Sequence, residues 1–104
     1  MLKVELIYDS DCPNAEAAKQ QLVSALREVG MKNDFKEWDR AAPGSPAYVK
    51  HYGSPTILVN GEDVAETDSI AGDKACRVYQ NQEGRLSGIP FIEMITSKLV
   101  GVDQ

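Results

Sequence analysis

Apolar and polar residues alternate from Lys3 to Tyr8, with Val4, Leu6 and Tyr8 on one side and Leu2 and Ile7 adding apolar weight to both. That pattern predicts a strand covered on both faces, in the interior of a sheet. The period then changes. Ala15, Ala18, Leu22, Ala25, Leu26 and Val29 recur at helical spacing, and Glu16, Lys19, Gln20, Ser24, Arg27 and Glu28 fill the opposite side. A helix is expected over Pro13–Val29, opened by proline and closed by Gly30. Asn33–Asp39 reads as a second strand, with Trp38 covering a core edge. Ala41–Pro46 is rich in turn formers, and Ser45-Pro46 predicts a short helix through His51 that ends near Gly53.

Ser54–Val59 is the third strand, with Pro55 at a position near its start that a strand tolerates and that permits a cis bond. Asn60-Gly61 is a two-residue hairpin signal, and Glu62–Val64 returns as a short strand. Ala65–Ala75 reads as irregular, Cys76–Tyr79 as a short extended segment and Gln80–Gly88 as a loop. Pro90 opens the last helix after a cap at Ser87 or Gly88. Ile92, Ile95 and Leu99 form its stripe, Phe91 and Met94 widen it, and Gly101 closes it. Glu93 and Lys98 complement its dipole. The expected architecture is α/β: one domain over 1–104 with an irregular insertion at about 65–88, and a mixed sheet of four to five strands with helices on both faces.

Composition narrows the function classes. With 104 residues the chain is one domain with a modest core. The net charge of -5, without a Lys/Arg cluster, argues against a nucleic-acid or anionic-membrane surface. No apolar run is long enough to cross a bilayer, and the N-terminal stretch lacks the continuous apolar core of a signal peptide. A cytoplasmic setting is expected. There, the two cysteines are read as reactive or metal-binding rather than as a permanent disulfide.

The candidate chemistry centres on Tyr8-Asp9-Ser10-Asp11-Cys12-Pro13-Asn14-Ala15, where the first strand gives way to the first helix. Cys12 is expected at or next to the N-cap. Free N–H groups and the positive end of the helix dipole favour an anion there, so a lowered thiol pKa and a more nucleophilic sulfur are expected. Tyr8, at the strand's end, is placed in the core or beside the thiol. His51, the single histidine, has no partner at a catalytic spacing and reads as an exposed helix residue.

The Cys-Pro at the first strand-to-helix turn, the Ser-Pro-Thr before the third strand and the order of elements resemble the thioredoxin fold. More narrowly, Asp11–Ala18, Gly53–Gly61, Cys76–Tyr79 and Gly88–Pro90 resemble a group of small bacterial thioredoxin-like proteins often labelled as alkylmercury-lyase-related. The resemblance implies that Cys12 is the nucleophile and that Pro55 is cis and lies beside it. It further implies a groove at Ser54 and Pro55, flanked by Tyr8 and Thr56, that holds an extended thiol substrate. One departure matters: Ala15 stands where the family's redox motif has its second cysteine, so a disulfide across the first helical turn is impossible.

Thiol redox chemistry with a protein or small-molecule thiol or disulfide is therefore the leading expectation, as a thiol-disulfide oxidoreductase. Cys12 attacks, and distant Cys76 resolves if the insertion folds back over the first helix. Arg77, adjacent to Cys76, reads as a solvated arginine or as the stabiliser of a nearby thiolate. The alternative is a soft-metal site, with Cys12 and Cys76 binding mercury or copper as thiolates. Organomercurial lyase activity is not expected, since only turn residues Asp9 or Asp11 could be nominated as its acid. A tetrahedral zinc site lacks ligand spacing. A third reading is an interaction module that keeps the fold without catalysis. No organic cofactor is expected, and the sequence leaves the oligomeric state open.

Overall fold

A computed structural model describes residues 3–10, 12–32, 34–65, 79–80 and 83–102. The chain order is strand β1 (Val4–Tyr8), helix α1 (Ala15–Glu28), strand β2 (Lys36–Asp39), a 3-10 helix (Ala47–His51), strands β3 (Thr56–Val59), β4 (Glu62–Asp63), β5 (Tyr79–Gln80) and β6 (Leu86–Ser87), and helix α2 (Ile92–Val102). The first four strands form one sheet in the order β2-β1-β3-β4. β1 is parallel to β2, with Tyr8 opposite Asp39, and antiparallel to β3, with Ile7 opposite Thr56. β1 is thus interior, as its apolar residues on both sides require. Asn60 and Gly61 take φ of 53° and 82°, the left-handed pair that a tight β3–β4 turn needs. Asn60 also accepts from Lys3 N–H at 2.8 Å through its side chain and donates its own N–H to Lys3 C=O at 2.7 Å.

Alternation along β1 and β3 sorts the core into two. Val4, Leu6, Ile57 and Val59 pack against Ala18, Leu22, Ala25 and Leu26 of α1 and against Ile95 and Leu99 of α2. Ile7 and Leu58 face the other way, onto Val49, with Trp38, Tyr48 and Tyr52 around them. Both α-helices therefore share one face, and the short helix expected after Ser45-Pro46 lies on the other. The opposite face is covered by the 3-10 helix and its flanking loops. Val49 N–H bonds Pro46 C=O, and Tyr52 N–H bonds Val49 C=O, both three residues back. A segment of five residues containing Tyr and Val is too short and too poor in helix formers to extend as an α-helix.

Several boundaries differ from the sequence reading, β2 starting at Lys36 rather than Asn33 and α2 at Ile92 rather than Pro90. α1 starts at Ala15 rather than Pro13, with Asn14 as its N-cap. Gly101 lies inside α2 rather than closing it; among the described glycines only Gly30, Gly61 and Gly84 have the positive φ of a left-handed stop. The stretch read as a loop over 80–88 contains β6, which pairs with β5 in a second, two-stranded sheet. Of the predicted 76–79 strand, Tyr79 is extended; Cys76, Arg77 and residue 78 lie outside the described residues, as does 66–75. Among the described residues no helix is long and apolar enough to cross a membrane.

Candidate active site at the Cys12 turn

Cys12 carries a free, partly buried thiol. Expected at or next to the N-cap, it lies two residues before it, because two successive turns precede the helix. Cys12 N–H donates to Asp9 C=O at 2.9 Å, and Ala15 N–H donates to Cys12 C=O at 3.2 Å. Ser10, Asp11, Pro13 and Asn14 are turn formers, so this local geometry has a sequence cause. Asn14 caps α1 without a side-chain hydrogen bond. Its amide lies against Gly88 instead: a Cβ at Gly88 would meet Asn14 Nδ2 at 2.3 Å. The lead-in to α2 thus rests on the start of α1. Gln21 Nε2 strengthens that junction by donating to Pro90 C=O at 3.2 Å.

The Ser54–Pro55 peptide is cis. Ser54, Pro55 and Thr56 are buried, and their polar groups engage the chain itself. Ser54 Oγ accepts from Asp9 N–H at 2.9 Å, Thr56 Oγ1 donates to Gly53 C=O at 2.7 Å, and Pro55 C=O accepts from Tyr79 O–H at 2.5 Å. Ser54 and Cys12 are therefore joined through a single residue, Asp9. Tyr8 is half-buried at the end of β1 and borders an open depression of about 160 Å³ with Leu6, Ala15, Glu16, Lys19 and Glu37. Lys19 and Glu37 pair across it at 3.4 Å. Cys76 and Asp11 lie outside the described residues, and among the described residues no group of three or more His, Cys, Asp or Glu is placed to hold a metal ion. His51 is exposed on the 3-10 helix.

The sequence reading treated Asp9 only as a nominal acid and did not single out Arg40. Arg40 follows β2. Its N–H donates to Tyr8 C=O at 2.8 Å and its Nη1 to Asp9 Oδ2 at 2.9 Å. The two side chains are 23% and 16% exposed. They are separated by 31 residues, a distance at which no local spacing rule reports a pair.

A second polar cluster lies beneath the opposite face. Glu5, in the interior strand, is 1% exposed, and its Oε2 accepts from Trp38 Nε1 at 2.8 Å and from Tyr48 O–H. The bond to Glu5, then burial, then the Glu5 and Tyr52 charges push the Tyr48 phenol from 10.0 up to about 12. A charge between Val4 and Leu6 on a buried strand is the sequence signal for such partners, since a carboxylate is rarely buried without them.

Comparison of the chain with protein-family models, with curated proteins and with solved structures finds no match.

Proposed function

We propose that this chain is a thioredoxin-like protein in which Cys12 performs thiol redox chemistry on a disulfide substrate. The observation that carries the reading is the coupling of the Cys12 turn, through Asp9, to Ser54 immediately before a cis proline. The element order around a mixed sheet supports the fold assignment. A partly buried free thiol on a turn, rather than within an apolar run, supports the chemistry.

The Cys12 thiolate attacks one sulfur of the substrate disulfide. A Cys12–sulfur bond forms, the substrate S–S bond breaks, and the departing thiolate takes a proton from water. A second thiolate then attacks Cys12 Sγ and releases the other half of the substrate as a thiol. Two electrons pass from the two attacking thiols to the substrate, and Cys12 is left in a disulfide. The second thiolate is Cys76 or an external thiol. A reducing cytoplasm would return Cys12 to the thiol form.

The test is mild oxidation of dilute protein followed by intact mass and peptide mapping. A monomer joined through Cys12 and Cys76 makes the pair the redox unit. A sulfenic acid on Cys12, or a dimer through it, assigns the second step to an external thiol. A Cys12 that exchanges with disulfides no faster than in the urea-unfolded chain overturns the reading. Stoichiometric Hg²⁺ or Cu(I) binding lost in Cys12→Ser, without disulfide exchange, would move the site to soft-metal handling.

A further inference from the structure

We propose that Asp9 is a positioning residue for Cys12, clamped in place by Arg40; the inference rests on the thiol redox reading and deepens it. Asp9 uses its main-chain and side-chain polar groups together. Its N–H is held by Ser54 Oγ at 2.9 Å, its C=O holds the Cys12 N–H at 2.9 Å, and its carboxylate takes Arg40 Nη1 at 2.9 Å. One residue thus joins the ends of β1 and β2, the cis-proline segment and the turn that carries the thiol. The far end of the clamp is fixed too, because the Arg40 main-chain N–H is bound to Tyr8 C=O. Arg40 Nε is buried and, among the described residues, has no hydrogen-bond partner. The charge-assisted bond from Nη1 to Asp9 is the described side-chain contact that orients the guanidinium.

Disulfide exchange needs the attacking sulfur in line with the bond it breaks, so it is sensitive to small displacements of the nucleophile. Without the clamp the Asp9 peptide can rotate, the Cys12 N–H loses its fixed acceptor, and the thiol spreads over orientations that do not attack in line. Alkylation by iodoacetamide has a looser geometric demand and registers mainly the availability of the thiolate. The pair of reactions therefore separates orientation from reactivity.

The experiment measures both rates, against a small aromatic disulfide and against iodoacetamide, well below the melting temperature of each variant. Asp9→Ala is expected to slow disulfide exchange by roughly 10- to 100-fold while alkylation changes by less than about 3-fold. Arg40→Ala is expected to slow exchange by a similar factor. The double variant is expected to be little slower, as for two residues acting through one interaction. Asp9→Asn keeps an oxygen for Arg40 and is expected to recover exchange to within about 3-fold of the native chain. Equal loss of both rates, or native exchange in a merely less stable Asp9→Ala, overturns the proposal. If native Cys12 shows no enhanced exchange, the redox reading fails by itself. Hydrogen exchange at the Cys12 amide then decides the clamp: selective loss of protection in Asp9→Ala upholds it, and unchanged protection overturns it.

Discussion

Replacing Tyr48 by Phe removes one oxygen and leaves the ring that packs near Val49. In the native chain Glu5 is 1% exposed and its described donors are the Tyr48 hydroxyl and Trp38 Nε1. The variant leaves a buried carboxylate with the indole alone of that pair. A hydrogen bond to a charged group is worth roughly 1.5–3 kcal/mol, and Tyr48 is partly exposed, so a loss of about 2 kcal/mol is expected. For a domain of this size that lowers Tm by roughly 10 °C. The cost arises from the stranded carboxylate, so it should vanish when the carboxylate is absent. In a Glu5→Leu background, of similar side-chain volume, Tyr48→Phe should cost less than about 0.5 kcal/mol. Urea unfolding followed by circular dichroism and by fluorescence of Trp38, the single tryptophan, measures each corner of this cycle. An equal loss in both backgrounds would refute the reasoning and assign the effect to ring packing. The same network predicts an alkaline limit. The Tyr48 phenol is raised to about 12 in the folded chain against 10.0 for the ordinary group. The unfolded chain therefore releases that proton first. The stabilisation is fully present below about pH 10 and is lost as pH rises toward about 12. Tyr48→Phe should lack that step, and ultraviolet titration of the tyrosines should lose a phenol that titrates at about 12.

Gly88→Ala would place a Cβ 2.3 Å from Asn14 Nδ2, so the amide has to move; a loss of about 1 kcal/mol is expected. Because Asn14 makes no side-chain cap bond, Asn14→Ala should cost little itself and should relieve Gly88→Ala in the double variant, measured by thermal unfolding. Gly61→Ala, at φ of 82° and with open space around the new methyl, should destabilise by about 1 kcal/mol through backbone strain alone, which urea unfolding checks. Glu62 is bonded by Lys98, and that bond and charge hold its carboxyl below the ordinary value. Its contribution is present above the unfolded carboxyl range and is lost as pH falls through the folded one. Glu62→Gln should therefore flatten the acid side of the stability profile slightly, and an unchanged profile would remove the effect.

Local rules decide much of this chain. The alternation around Leu6, the 3.6-residue spacing from Ala18 to Leu26, the Asn60-Gly61 turn and the proline-led start of the last helix each carry their structure in neighbouring residues. The elements they predict form close to where expected, because turn chemistry and amphipathic period act over a few residues. The position of Cys12 was half legible: the turn formers around it mark a strand-to-helix junction. The exact start of the helix was not: the same turn formers close two successive turns ahead of it, so it begins at Ala15 rather than at Pro13. Tertiary structure alone decided that both α-helices share one face, since a strand with apolar residues on each side does not say what covers which. It also decided the two polar clusters. Asp9 with Arg40 and Glu5 with Trp38 and Tyr48 join residues from separate strands and the 3-10 helix. Their partners are chosen by sheet register and chain path. The sequence therefore determines that a thiol stands on a turn at the end of an interior strand, and the fold determines what holds that turn in place.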